Sequence, residues 1–153
     1  HPFYLAAYMT GGAPMGGEGD PEWVNVIPAG QYLDDYVFFT DPTYSEVSLV
    51  VVRRPDGNGA FADVSLGCHG MLGEWTPIGP YEYTRIDLVT GNFQNVGNCS
   101  NGRHEMSSDL PFGVTVWGWG GYATPSTSYV SYAYPAGASV QPINEVVIPP
   151  TPK

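Results

Sequence analysis

Glycine and proline interrupt this chain so often that no long helix can form. The 153 residues include 20 glycines and 15 prolines, and the longest stretch without either is the 12 residues Thr43–Arg54. Because these two residues are the least compatible with a helix interior, their spacing excludes long helices, bundles and coiled coils. Hydrophobic residues make up 42% of the chain and aromatic residues 14%, which excludes disorder. No apolar run approaches the roughly 18 residues that a membrane-spanning helix requires.

The short apolar runs between these glycines and prolines alternate like β-strands. The strongest signal is Glu46–Arg54, in which Val47, Leu49 and Val51 share one face. The pattern predicts ten strands, at Phe3–Thr10, Glu22–Pro28, Tyr36–Thr40, Glu46–Arg54, Ala62–Gly67, Tyr81–Val89, Arg103–Ser107, Phe112–Trp119, Ser128–Tyr134 and Val140–Ile148. A single helical turn is predicted over Gln31–Asp35, and turns at Pro55–Gly59 and Asp109–Pro111.

These elements predict an all-β fold, an antiparallel β-sandwich or jelly-roll-like domain with about ten short strands and no long helix. We expect one domain over residues 1–148, as part of a longer extracellular chain, and a proline-rich tail or linker over residues 149–153. The strand Val47–Val52 is apolar on both faces, so we expect it at the centre of a sheet. Edge roles then fall to Phe3–Thr10 or Val140–Ile148, which predicts assembly through sheet edges with a flanking domain or with copies of the chain.

The charge is strongly acidic and limits the partners. Fifteen acidic residues against five basic ones give a formal net charge of −10 at pH 7. Such a chain repels phosphate backbones and anionic membrane surfaces, so neither nucleic acid binding nor membrane insertion is expected. Cations, basic proteins and neutral glycans remain possible partners.

Two cysteines, Cys68 and Cys99, each lie beside turn residues. One disulfide between them is the simplest interpretation, and two buried free thiols are the alternative. A disulfide indicates an oxidising compartment, and therefore a secreted or cell-surface protein. Asn98-Cys99-Ser100 also fits the N-glycosylation pattern, although a disulfide at its centre would hinder modification.

The sequence contains few residues that could act in catalysis. A triad could be drawn from His104 with Ser107 or Ser108, but no nucleophile elbow surrounds these serines. The carboxylates of Asp34 and Asp35 are adjacent, so on a strand they point to opposite faces and make a poor glycosidase pair. We therefore predict no enzymatic activity and no catalytic residues.

Metal binding is weakly supported. Asp56–Gly59 has some oxygen ligands of a calcium loop but lacks the distal glutamate, and a hairpin turn explains it fully. The acidic loop Glu18–Asp20 is the other place for a hard cation. We predict no cofactor and no metal site, with calcium as the weaker alternative.

Four aromatic residues are the best candidates for ligand contact: Trp75, Trp117, Trp119 and Tyr122. Trp117 and Trp119 fall on one strand face, separated by Gly118, which leaves the opposite face without side-chain cover. Exposed rings on a β-sandwich can stack on sugars. The alternative, which we favour, is that these rings pack in the core or against another sheet.

Several stretches of the chain resemble a known family. They are Phe3–Gly11, Gly19–Trp23, Ile27–Tyr32, Asp35–Thr40, Asn98–His104, Ser107–Gly118 and Ser131–Gly137. In this order they are similar to the N-terminal domain of IgGFc-binding proteins, which occurs in mucus proteins and in many bacterial secreted proteins.

The resemblance implies an extracellular, non-enzymatic adhesion module within a larger protein, and the Cys68–Cys99 pairing fits it. The family domain is longer at its N-terminus, so the resemblance also implies that this chain is the C-terminal part of that domain or a shortened relative. Antibody binding belongs to particular members of the family.

Three functional hypotheses follow. The first is a structural or adhesion module that binds a protein or glycan partner. The second is a carbohydrate-binding module that stacks sugars on Trp117, Trp119 or Trp75. The third, with least support, is a hydrolase that uses aspartate and glutamate residues.

Overall fold

The computed structural model describes residues 3–10, 19–122 and 124–140 and contains eleven strands. They are β1 (Ala6–Tyr8), β2 (Trp23–Asn25), β3 (Leu33–Thr40), β4 (Glu46–Arg53), β5 (Val64–Leu66), β6 (Gly70–Met71), β7 (Thr76–Ile78), β8 (Tyr81–Thr90), β9 (Gln94–Asn95), β10 (Gly102–Trp119) and β11 (Ser131–Pro135). Every strand pairing is antiparallel. The predicted all-β class is confirmed, as a curled, sandwich-like arrangement of antiparallel sheets.

The long strand β10 organises the fold because it belongs to both layers. Its first half pairs with β3 on one side and β5 on the other, and its second half pairs with β11 and β4. The pairing with β3 skips from Ser107 to Phe112. The prediction of two strands separated by an Asp109–Pro111 turn is therefore wrong, because β10 runs through this segment. Pro111 has no N–H to offer a neighbour and lies where the ladder to β3 is interrupted.

The core lies between the two layers. The nine strands β3 to β11 form one curled sheet, which we call the main sheet. We divide it at the middle of β10: the first layer is β3, the first half of β10, β5 and β6, and the second is β11, the second half of β10, β4, β8, β7 and β9. Fully buried residues come from both layers and include Leu49, Val51, Leu66, Phe112 and Val116. Strand β4 lies between β10 and β8, so the central position predicted for Val47–Val52 is confirmed.

Two predictions at the ends of elements are wrong. The single 3-10 turn is Ala29–Gln31, and Gln31–Asp35 is not helical because β3 begins at Leu33. Strand β1 pairs with β2 in a separate two-stranded sheet, so Phe3–Thr10 does not border the main sheet. The predicted strand Val140–Ile148 lies outside the described residues after Val140, as does the 149–153 tail.

The predicted disulfide is present. Cys68 and Cys99 are bonded to each other, and Cys99 is buried in the core. The bond ties the turn after β5 to the loop that precedes β10, because Cys68 follows Leu66 closely and Cys99 precedes Gly102. The disulfide therefore fastens the entry of β10 to the first layer.

Candidate binding surface

Trp117 and Trp119 lie on one face of β10, as their spacing predicted. It is the outer face of the second layer, so the two rings do not pack in the core between the layers. Their ring centroids are 6.4 Å apart and the ring planes differ by 13°. Both side chains are half-buried. The two rings, which we call the tryptophan pair, are thus nearly parallel but only partly available to a ligand.

Trp119 anchors the β1–β2 hairpin. Its indole N–H points at the sulfur of Met9, which follows β1. Gly19, just before β2, has a φ of +66°, and a Cβ there would lie 2.8 Å from the Trp119 ring. The guanidinium of Arg85, on β8, lies 5.7 Å from the centroid of the Trp119 ring. These contacts occupy much of the ring, so Trp119 has a structural role in docking the hairpin.

Gly118 does not leave its face of β10 uncovered. Tyr132 of β11 is paired directly opposite Gly118, and its ring fills the space above the glycine. The Tyr132 hydroxyl accepts the Asp41 N–H at 3.3 Å, and the ring meets Tyr44 edge-on with centroids 4.6 Å apart. The expectation that the face opposite the tryptophan pair lacks cover is therefore wrong.

The hairpin presents a cluster of exposed aromatic rings beside this layer. Tyr8 and Trp23 are directly paired, so they lie on one face of the hairpin, with Tyr4 on the same face four residues before Tyr8. Their side chains are exposed by 77% (Tyr8), 52% (Trp23) and 66% (Tyr4). Tyr4 meets Trp23 edge to face, with centroids 6.4 Å apart, and its hydroxyl donates to Asn25. We call Tyr4, Tyr8 and Trp23 the hairpin aromatic face.

Trp23 falls in the predicted strand Glu22–Pro28, but the sequence did not select these three rings as candidates. The alternating pattern of the sequence could have identified these rings, because Tyr4 and Tyr8 fall on the same side of an alternating strand and Trp23 is the first residue of β2. The opposite face of the hairpin carries Val24, which is buried, and Met9, which contacts Trp119. This side of the hairpin is thus anchored at Val24 and Met9, although Phe3 and Leu5 on the same side are exposed, and the other side is presented to solvent.

Trp75 and Tyr122 do not join the tryptophan pair in one site. The Trp75 ring stacks under the Arg53 guanidinium at 4.1 Å, and its N–H donates to the Leu72 carbonyl at 3.2 Å. Arg53 also forms a 2.6 Å ion pair with Glu82. Trp75 therefore packs at the opposite end of β4 from the tryptophan pair. Tyr122 is exposed in the loop after β10. Ligand contact by any of these residues stays a prediction.

Polar groups lie beside the tryptophan pair on the same face. Ser48 of β4 is opposite Trp117 on one side and Asp87 on the other. The Ser48 hydroxyl is buried and has no hydrogen-bond partner within the described residues. Asp87 forms a 3.1 Å surface ion pair with Arg85. The rings therefore border a small polar strip rather than a purely apolar patch.

His104 is a core residue. Its ring stacks on Phe38 with centroids 5.3 Å apart, its Nε2 lies 3.3 Å from the Thr40 hydroxyl, and its Nδ1 lies 3.9 Å from the Cys68 sulfur. Ser107 lies on the opposite, outer face of β10, and the Ser108 hydroxyl accepts the Leu110 N–H at 3.4 Å. Neither serine is a partner of the His104 ring, so the structure does not form the hypothetical triad. Burial lowers the pKa of His104 below its ordinary value.

This lowered pKa predicts that acid destabilises the fold. The unfolded chain takes up a proton on this histidine near pH 6.5, whereas the folded chain resists protonation until a lower pH. The free energy of unfolding should therefore be largest above about pH 6.5 and fall as the pH drops below that value. Urea unfolding at pH 7.5 and at pH 5.5 measures the free energy of unfolding at each pH. The difference between these two free energies should be smaller in His104→Gln than in the natural chain. An equal difference in the variant would contradict it.

The candidate cation sites give no converging ligand set. The Asp56 carboxylate accepts the N–H groups of Ala60 and Asn58, both at 2.8 Å, which is the turn role predicted for this segment. These bonds lower the pKa of Asp56. No group of three or more His, Cys, Asp or Glu side chains converges in the described ranges. The Glu18–Asp20 loop is described only from residue 19 onward.

The chain belongs to the IgGFc-binding family, since the family model described as IgGFc binding protein matches residues 1–118. The match confirms the resemblance seen in the sequence. This family is one of non-enzymatic, extracellular binding proteins, and membership implies a protein partner. The disulfide fits an oxidising compartment. Searches of curated proteins and of solved structures found no significant match. Within the part of the chain that the structure describes, no helix is long and apolar enough to cross a bilayer.

Proposed function

We propose that the chain is an adhesion module of a secreted or cell-surface protein and that it binds a protein partner through the hairpin aromatic face. The exposure of Tyr4, Tyr8 and Trp23 on one side of an anchored hairpin is the observation that carries this proposal. Tyrosine and tryptophan are enriched at protein interfaces because they bury a large apolar area and lose few rotatable bonds. The anchor beneath them limits the ordering cost of binding.

The acidic charge supports a partner with a basic or neutral surface. Glu22 adjoins the hairpin aromatic face in the sequence, and the chain as a whole carries a formal charge of −10. An acidic field of this size speeds association with a basic surface and repels an acidic one.

The Fc region of immunoglobulin G is the first partner to test, because the family carries its name. We expect the full chain to bind purified Fc and Trp23→Ala to weaken that binding about tenfold or more, as loss of an interface tryptophan typically does. Tyr122→Ala is the control, since Tyr122 is an aromatic residue even more exposed than Trp23 but lies off the hairpin. Fc binding that survives Trp23→Ala unchanged would contradict the proposal.

A second function is carbohydrate binding by the tryptophan pair, which the nearly parallel rings favour. Trp117→Ala is the appropriate variant for a glycan array, because Trp119 also anchors the hairpin through Met9. Glycan binding that is lost in Trp117→Ala and kept in Trp23→Ala would favour this function over protein adhesion.

A further inference from the structure

Strand β3 is an edge strand of the main sheet. It pairs with β10 along one side, and no strand within residues 3–10, 19–122 and 124–140 pairs with its other side. An unpaired strand edge presents a row of N–H and C=O groups that can bond another strand.

The direction of these groups follows from the hydrogen bonds of β10. The Glu105 carbonyl accepts the Gly67 N–H at 3.0 Å, so the Glu105 backbone faces β5 and away from β3. Val37 is paired opposite Glu105, and its own N–H and C=O therefore point away from β10. By alternation, the backbone groups of Asp35 and Phe39 point the same way. The free edge thus comprises residues 35, 37 and 39.

Two tyrosines close one end of this edge. The Tyr134 hydroxyl donates to the Phe39 carbonyl, and the Tyr132 hydroxyl accepts the Asp41 N–H at 3.3 Å. These two hydrogen bonds satisfy backbone groups at the C-terminal end of β3, and neither covers Asp35 or Val37. The remaining opening therefore runs from Asp35 to the N–H of Phe39.

The side chains along this opening suit an added strand. Val37 is 62% exposed and Phe39 is 59% exposed, both on the outer face of the first layer. β3 contains no lysine, no proline and no bulge in its pairing with β10 between Asp35 and Thr40, which are the usual devices that protect an edge. The backbone groups can supply affinity, and the two apolar side chains can select alternating apolar residues in the partner.

The charge around the opening selects the partner. Asp35 borders a hollow of about 370 Å³ that extends from β3 over β10 to β5 and includes Glu105 and Ser107. It also borders a second hollow of about 650 Å³ that contains Asp63 and Asp109. A second copy of the chain would bring the same acidic groups to the edge, and each copy carries a formal charge of −10. Basic side chains of a different protein complement these hollows.

We propose that the free edge of β3 accepts an extended strand from a partner protein, with alternating apolar side chains and lysine or arginine at the end beside Asp35. This site is separate from the hairpin aromatic face, and Trp23→Ala should leave it intact.

A labelled nine-residue peptide of alternating valine and threonine, with two lysines at each end, is the probe. Fluorescence anisotropy should show binding to the full chain. Val37→Pro removes the outward N–H without touching the ladder to β10, and we expect it to weaken binding about tenfold. Val37→Thr keeps the N–H and should bind within a few-fold of the natural chain. Asp35→Asn should weaken binding and lower its dependence on salt.

Amide hydrogen exchange provides a readout that does not depend on the variants. The Val37 amide should exchange rapidly in the free chain and slowly with the peptide bound, whereas the Phe38 amide, which faces β10, should be slow in both. Equal peptide binding by Val37→Pro, or no binding by the natural chain, would overturn the proposal. Slow exchange of the Val37 amide in the free chain would also overturn it, because another segment of the chain or a second copy would then already cover the edge. Sedimentation would distinguish these two cases.

Discussion

Replacing both Cys68 and Cys99 by alanine should lower the free energy of unfolding by about 3–4 kcal/mol. The bond closes a loop with a sequence separation of 31, and on the chain-entropy account such a loop stabilises the fold by roughly this amount because it restricts the unfolded chain. Urea unfolding monitored by tryptophan fluorescence measures the change.

The natural chain in excess reductant is the matched control and should unfold at nearly the same urea concentration as the double variant. Alanine is preferred to serine because Cys99 is buried, where a hydroxyl would add its own desolvation cost. Identical unfolding midpoints for the oxidised natural chain and the double variant would show that the bond does not stabilise the fold.

Gly118→Ala should destabilise the fold by about 2–3 kcal/mol, the cost typical of overpacking a filled site. A Cβ at this position would come closer than 3.0 Å to three carbon atoms of the Tyr132 ring. That ring cannot shift freely, because its hydroxyl is bonded to Asp41 and its edge packs on Tyr44. The strain should loosen β11 from β10.

A double-mutant cycle isolates the cause of this loss. Once Tyr132→Ala has removed the ring, Gly118→Ala should cost well under 1 kcal/mol, which is a coupling expected only of residues in contact. Gly57→Ala is the control, since no atom lies within 4 Å of a Cβ there, and it should change stability by no more than about 0.5 kcal/mol. Additive losses in the cycle would rule out the Tyr132 contact as the cause.

Alternation in the sequence was sufficient to predict most strands of the second layer. Glu46–Arg54 and Tyr81–Val89 correspond closely to β4 (Glu46–Arg53) and β8 (Tyr81–Thr90), because their buried faces are mostly apolar and alternate with exposed or half-buried positions. β10 was divided wrongly, because Asp109-Leu110-Pro111 has the local chemistry of a turn. Strands from distant parts of the chain pair with β10 up to Ser108 and again from Phe112, and this pairing before and after the segment keeps it extended.

The candidate surface was less predictable than the strands. Period-two spacing correctly placed Trp117 and Trp119 on one face. It could not show that a hairpin docks there, because the contact between Met9 and Trp119 joins residues 110 positions apart. This long-range contact holds the hairpin against Trp119 and leaves Trp23 exposed to solvent. The sequence alone therefore did not identify Trp23 as a candidate.

Hydroxyl-radical footprinting of the full chain tests most directly which aromatic surface is presented for binding. With mass spectrometric readout, Tyr8 and Trp23 should oxidise faster than Trp117 and Trp119 in the free protein, in the order of their exposure. Addition of Fc should slow oxidation of Tyr8 and Trp23 and leave the tryptophan pair unchanged. Faster oxidation of Trp117 and Trp119 than of Trp23 in the free chain, or protection of that pair alone by Fc, would contradict the account.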